Sequence, residues 1–157
     1  MITVEFTFNE KPVSVTVPED ELLLDTLRDR LATTSARYSC GIGVCGACTV
    51  TMDGRAVSSC LQLTQMAAGR RVRTADHVLD EDGTGRAVRD AFVRARAFQC
   101  SYCIPAMALT VAAALDDDPG ADAGALRRQL AGNLCRCGSY PQIAEAVGDL
   151  TAPKEST

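Results

Sequence analysis

Tryptophan is absent, and aromatic residues make up only 4% of the 157 residues. A core without large rings must be built mainly from Leu, Val and Ala, and segments rich in Ala and Leu favour helix. No apolar run reaches the roughly 18 residues that a membrane-spanning helix needs. The beginning, Met1-Ile-Thr-Val-Glu-Phe, has neither a basic n-region nor an apolar h-region. It does not read as a signal peptide, and the expectation is a cytoplasmic protein. Positive charge is not in surplus: 16 Lys and Arg stand against 20 Asp and Glu, a net charge of −4. That balance argues against nucleic acid as a partner.

Cysteine, by contrast, is plentiful. There are eight, with 12 glycines and 46% hydrophobic residues. The length suits one domain or two small ones. An even number of cysteines raises the question of disulfides. Tight local clustering and the lack of a signal peptide count against them. Thiols grouped in this way are the donors of a metal centre.

Ile2, Val4, Phe6 and Phe8 alternate with polar residues, and Val13, Val15 and Val17 alternate again after Asn9-Glu-Lys-Pro12. Residues 2–17 therefore read as a β-hairpin. Pro18-Glu-Asp-Glu21 carries helix-start chemistry. Leu23, Leu27 and Leu31, with Leu24, give a helical face over 20–31. Residues 35–48 read as loop and 47–52 as a strand. Asp53-Gly54 is a hairpin turn with its return over 55–58. A short helix is expected over 61–68 and a closing strand over 71–74. This is a small α+β unit in which a sheet grips one helix.

The character changes after residue 75. Residues 80–85 read as a polar linker. Helices are expected over 86–98, over 104–115 with Pro105 in the first turn, over 125–131, and over 140–150 with Pro141 near its start. Asp116-Asp-Asp118 reads as a solvated helix end, and 151–157 as a polar, frayed tail. The organisation is an α+β unit at 1–76 and a helical unit within 77–157, its helices spanning about 84–150. Each carries four cysteines.

The first quartet is Cys40, Cys45, Cys48 and Cys60. The spacing Cys-x4-Cys-x2-Cys with a remote fourth ligand is that of plant-type [2Fe–2S] sites. Structural zinc prefers two short-spaced pairs. Gly41, Gly43 and Gly46 lie within the loop. The four thiolates outweigh the positive charge of an iron–sulfur core, so the centre is an anion and becomes more so on reduction. A loop whose backbone N–H groups point inward stabilises such an anion, and glycine lets the backbone curl and approach. Arg37 is a possible positive neighbour.

The second quartet is Cys100, Cys103, Cys135 and Cys137. Its spacing by itself leaves the metal open. Four strings together carry a resemblance: Cys40-Gly-Ile-Gly-Val-Cys45-Gly-Ala-Cys48, Ser59-Cys60-Leu61, Phe98-Gln99-Cys100 and Gly132-Asn133-Leu134-Cys135-Arg136-Cys137. They run nearly end to end and resemble the iron–sulfur subunit of molybdenum hydroxylases, the relatives of xanthine dehydrogenase, aldehyde oxidoreductase and carbon monoxide dehydrogenase.

The resemblance implies an α+β chain: an N-terminal ferredoxin-like β-grasp domain and a C-terminal four-helix bundle, each holding a [2Fe–2S] cluster. It implies that Gln99 hydrogen-bonds the pterin of a molybdenum cofactor and that Cys137, besides ligating iron, lies against the pterin edge. The cofactor, the substrate and the catalytic residues then belong to a large molybdenum-binding subunit, and this chain has no catalytic residue of its own. Its expected task is to pass single electrons from the Cys100–Cys137 cluster to the Cys40–Cys60 cluster. The expected acceptor is an FAD-binding medium subunit, with a cytochrome as the alternative. Two clusters suit the chemistry, because oxygen transfer from water to carbon releases two electrons. Adding two anionic clusters makes the holo protein more acidic than its composition suggests.

The chain departs from the family pattern where Ser101 replaces a glycine, where Ile104-Pro105-Ala106 replaces the usual Pro-Gly string, and where Gly138-Ser139-Tyr140-Pro141 replaces Thr-Gly-Tyr. The last string is similar to the branch that feeds cytochromes. His77, the single histidine, excludes a Rieske site, which needs two, and reads as structural. Tyr38, Tyr102 and Tyr140 are expected to shield the clusters by packing. Arg136 either offsets cluster charge or pairs with an acid or a partner. Two other functions compete: a free two-cluster electron carrier, and a structural protein with two zinc ions.

Overall fold

The computed structural model describes Met1–Ala152. Strands β1 (Ile2–Phe8) and β2 (Lys11–Val17) form the expected hairpin, with Val4 opposite Val15 and Ile2 opposite Val17. Asn9 and Glu10 turn the chain with φ of 47° and 62°, the left-handed pair that matches the twist of the flanking strands. Strands β3 (Thr49–Met52) and β4 (Arg55–Ser58) form a second hairpin, and β5 (Arg71–Arg73) closes the sheet. The strand order is β2-β1-β5-β3-β4, with β1 and β5 parallel and the other neighbours antiparallel.

The helix under this sheet is shorter and more irregular than its leucine period predicts. Helix α1 covers only Leu23–Asp25 and continues as a π-helical turn over Thr26–Arg30. The reason is tertiary. Leu22 bridges Leu63, the Leu23 N–H donates to the Gln62 carbonyl at 2.8 Å, and the Thr64 N–H donates to the Glu21 carbonyl at 2.9 Å. Residues 21–23 are thus used as an extended edge. The same pairing splits the expected 61–68 helix into 3₁₀ turns at Ser59–Leu61 and Thr64–Ala67. Leu23, Leu24 and Leu27 still face Val4, Phe6, Val17, Val50 and Val72 in one core. The sheet grips the helix as a β-grasp.

Ahead of the expected linker at 80–85, α2 (Ala75–Val78) forms a single turn. Helix α3 runs Thr84–Arg94, starting and stopping before the expected bounds. It starts early because Gly85 lets the helix touch α2: a Cβ there would stand 1.8 Å from the Val78 carbonyl oxygen. It stops at Arg96, whose φ is 49°. The Ala97 N–H reaches the Phe92 carbonyl at 2.9 Å and the Arg96 N–H reaches that of Val93 at 3.0 Å, a left-handed helix cap that turns the chain toward Cys100.

Helix α4 (Ile104–Asp117) takes in Asp116 and Asp117, so the stop begins at Asp118. Helix α5 (Ala123–Gln129) is capped by Asp122, whose carboxylate accepts from the Ala125 N–H, and runs into a 3₁₀ turn at Leu130–Gly132. Helix α6 spans Tyr140–Thr151. Thr151 is therefore helical rather than frayed, and the rest of the expected tail, 153–157, lies outside the described residues. Helices α3, α4, α5 and α6 pack as a four-helix bundle around Val88, Phe92, Met107, Leu109, Leu126 and Val147. Ala75 and Val78 of α2 already belong to this second core.

Candidate metal centres

The first quartet sits on the loop between the π-helical turn and β3, plus one residue beyond β4. Gly41, Gly43 and Gly46 all take positive φ, between 67° and 73°. This curl aims backbone N–H groups at Cys40. Those of Ile42, Cys45 and Val44 pull its thiol down to about 6, and the Cys45 N–H lies 3.4 Å from its sulfur. Cys60 comes from the 3₁₀ turn after β4. Ser59 fastens that turn by donating through its hydroxyl to the Cys48 carbonyl at 2.8 Å. Burial and the adjacent Cys48 push the Cys60 thiol up to about 11. A buried thiol of this kind keeps its proton until a metal displaces it.

The second quartet is built from three elements. Cys103 caps the N-terminus of α4, Cys100 precedes it after the α3 turn, and Cys135 and Cys137 precede α6. Two helix N-termini therefore converge on these thiols, the favourable end for an anion. The Ser139 N–H lies 3.4 Å from the Cys135 sulfur, and the Cys135 N–H donates to the Tyr140 hydroxyl at 2.8 Å. Cys100 lies beside Cys137, and Cys103 beside Cys135. Donation from the Tyr102 N–H, then from Cys137, holds Cys100 down, while burial, then Cys135, pushes Cys103 up to about 12.

Both departures at former glycine positions now have an explanation. Ser101 adopts the left-handed backbone itself, with φ of 61°. Ala106 lies buried within α4, where no positive φ is required.

Several expectations are redirected. Arg37 turns away from its own cysteine loop: its guanidinium donates to the Ser101 carbonyl at 2.8 Å and stacks over the Tyr102 ring at 5.1 Å. Tyr38, Tyr102 and Tyr140 are about half exposed, so they do not shield by burial. Two of their hydroxyls serve as hydrogen-bond partners instead, Tyr102 donating to the Tyr38 carbonyl and Tyr140 accepting from Cys135. Arg136 is exposed and makes no ion pair among the described residues.

His77 lies 3.0 Å from Glu81, and with Glu10 these ligand atoms lie within 4.8 Å of one another. The Arg73 guanidinium bridges both carboxylates, so that position already holds a cation.

The two quartets are tied together. The Asn133 side-chain amide donates to the Gly46 carbonyl at 3.1 Å, and the Leu134 N–H donates to the Cys45 carbonyl at 2.9 Å. Asn133 and Arg37 are the residues whose connecting roles sequence reasoning missed; Asn133 carried only the signal of belonging to a motif string. The outer side of the second quartet is open. Gln99, Cys100 and Cys137 are exposed, the Gln99 amide donates to the Cys137 carbonyl at 2.9 Å, and Phe98, Tyr102, Leu134 and Tyr140, near them in the chain, are exposed too.

The donor chemistry fits two binuclear iron–sulfur centres. Each site offers only thiols, aided by backbone N–H groups. Among the described residues no three cysteine sulfurs lie within 4.8 Å of one another. A tetrahedral zinc with Zn–S of about 2.3 Å would draw its sulfurs to about 3.8 Å apart.

Comparison with known proteins agrees. The "2Fe-2S iron-sulfur cluster binding domain" family matches residues 6–77 and the "[2Fe-2S] binding domain" family residues 74–148. The nicotinate dehydrogenase small FeS subunit of Eubacterium barkeri is 37% identical over 93% of this chain and 92% of its own. The xanthine dehydrogenase iron–sulfur-binding subunit of Escherichia coli O157:H7 is 36% identical over 98% and 96%. The chain belongs to the iron–sulfur subunits of the molybdenum hydroxylases. The crystal structure of quinoline 2-oxidoreductase from Pseudomonas putida 86 superposes with a TM-score of 0.86 at 33% identity, covering 94% of this chain and 91% of that one.

As an iron–sulfur subunit of this family, the protein carries two [2Fe–2S] centres and relays electrons in a molybdenum-dependent oxidoreductase whose catalysis takes place on another chain. It works as the small subunit of a multi-subunit enzyme. No helix among the described residues is long and apolar enough to cross a membrane.

Proposed function

We propose that Cys40, Cys45, Cys48 and Cys60 hold one [2Fe–2S] cluster and that Cys100, Cys103, Cys135 and Cys137 hold the other. Each cluster, when bound, accepts and returns one electron. Electrons enter through the Cys100–Cys137 quartet and leave through the Cys40–Cys60 quartet. The observation that carries this direction is the contrast between the two faces of the second quartet. Its outer face exposes Gln99 and Cys137, joined by a hydrogen bond, as one edge for the partner's molybdenum–pterin cofactor. Its inner face meets the first quartet, with Cys135 linked to Cys45 through Leu134 and a single 2.9 Å hydrogen bond. Covalent bonds bridged by one hydrogen bond make a short route for an electron.

The chain divides functionally near residue 76, and this reading is supported by two separate cores with α2 at their junction. No residue of this chain acts as acid, base or nucleophile in the hydroxylation. The onward acceptor is an FAD-binding medium subunit, reached from the exposed Tyr38, Ile42, Val44 and Leu61 around the first quartet. The compartment is the cytoplasm, in keeping with eight free cysteines.

The test is electron paramagnetic resonance on the reduced, purified complex. Two distinct cluster signals are expected. Cys48→Ser removes one and Cys103→Ser the other. A single signal in the unmutated complex, or loss of the same signal in both variants, defeats the assignment. FAD in the purified complex supports the flavin acceptor, whereas haem without FAD replaces it by a cytochrome.

A further inference from the structure

Ser139 is 1% exposed, and its hydroxyl oxygen is buried without a hydrogen-bond partner. It stands at the N-cap of α6, where a serine ordinarily turns its oxygen onto the helix N–H groups. Here the side chain makes no such cap. Its backbone is fully used: the carbonyl accepts from the Ile143 N–H at 3.0 Å, and the N–H points to the Cys135 sulfur at 3.4 Å. That 3.4 Å contact sets the hydroxyl's own residue against the Cys135 thiol. A buried hydroxyl left unpaired is destabilising, and this one can rotate its hydrogen toward any acceptor beside it. The acceptor available in the holo protein is sulfur.

We propose that the Ser139 hydroxyl donates a hydrogen bond to the sulfur of the second [2Fe–2S] centre at Cys135 and thereby raises that centre's reduction potential. The inference rests on the reading of Cys135 as a ligand. Reduction adds one electron and moves no proton; the hydrogen stays on Ser139. The added negative charge strengthens the donated bond, so the reduced form gains more from it than the oxidised form. Hydrogen bonds to cluster sulfurs are among the determinants of potential in such centres. Ser139 is a positioning residue that sets how readily electrons enter the relay. It stands where the family's usual Thr-Gly-Tyr string has a glycine, which has no hydroxyl to donate.

The experiment is a redox titration of the holo complex followed by electron paramagnetic resonance. In Ser139→Ala both signals persist, and the centre that Cys103→Ser abolishes becomes about tenfold harder to reduce at a given solution potential. For a one-electron couple that is a midpoint lower by about 59 mV. The other centre keeps its midpoint, and Ser139→Thr, which retains the hydroxyl, restores the value. An unchanged midpoint in Ser139→Ala, or equal shifts at both centres, overturns the proposal. If Ser139→Ala fails to load the second cluster, Ser139→Cys replaces it. Its weaker donor must give a lower midpoint than Ser139→Thr, and equal midpoints overturn the proposal. Two signals in the unmutated complex that respond separately to Cys48→Ser and Cys103→Ser keep the ligand assignment intact whichever way Ser139 falls.

Discussion

The side-chain amide of Asn133 donates a 3.1 Å hydrogen bond to the backbone carbonyl of Gly46, 87 residues away in the chain. Its own carbonyl oxygen accepts from the Thr110 hydroxyl at 3.2 Å. One buried amide therefore joins the loop of the first quartet, helix α4 and the stretch of chain that leads into Cys135.

Asn133→Ala removes the bond between the two units, while the Gly46 carbonyl keeps the Thr49 N–H and hydroxyl and the Thr110 hydroxyl keeps the Ala106 carbonyl. Stability should fall by about 1 kcal/mol, read as a lower denaturant midpoint by circular dichroism. Asn133→Asp should be worse, because it sets a second acceptor against the Gly46 carbonyl. Equal stability of Asn133→Ala and the unmutated protein would show that the bond is not felt.

Gly46 and Gly54 both have positive φ, 67° and 84°. At Gly54 a Cβ meets nothing within 4 Å, whereas at Gly46 it would stand 2.3 Å from the Gly132 carbonyl oxygen and 2.5 Å from the Asn133 amide nitrogen. Gly54→Ala should lose about 1–2 kcal/mol from the left-handed backbone alone. Gly46→Ala should lose clearly more and bind less iron per chain. Equal losses would mean that backbone conformation, not the close approach, matters at Gly46.

Arg37 supplies two bonds to one segment, the donation to Ser101 and the stack on Tyr102. Arg37→Ala should cost about 1–2 kcal/mol. Arg37→Lys should recover little of it, because an ammonium lacks the flat, forked guanidinium that serves both contacts. Recovery of full thermal stability by lysine would show that charge alone suffices.

Asp76 accepts from the Ser35 and Thr33 hydroxyls. Burial raises its carboxyl, but donation from Ser35, Thr74, its own backbone N–H and Thr33 outweighs that and leaves it below the ordinary value. A depressed folded pKa gives stability that is present above the unfolded value of about 3.9 and is lost as pH falls through the folded one. The stability gap between the unmutated protein and Asp76→Asn should hold steady at neutral and mildly acidic pH and close below that point. A gap that widens on acidification would reverse the sign.

Much of this was legible in the sequence wherever neighbours in the chain are neighbours in space. The period-two alternation of β1 and β2 follows from which side chains a strand turns inward. Pro105 and Pro141 mark the first turns of α4 and α6 because proline fits there without a missing bond. Cys40, Cys45 and Cys48 share one loop, so their spacing and glycines state the chemistry directly. Other features depended on which distant segments meet. The π-helical turn after α1 exists because residues 21–23 pair with residues 62–64. Arg37 serves the second quartet rather than the first because the fold brings Ser101 beside it. The two quartets themselves return to this division. Each was readable as four thiols, but their connection through Asn133 and Leu134 arises only when the β-grasp and the helical bundle pack together, and the orphaned hydroxyl of Ser139 only when the helical unit folds around it. Local spacing selects ligands; burial and hydrogen bonding between remote segments decide how the two centres are joined and tuned.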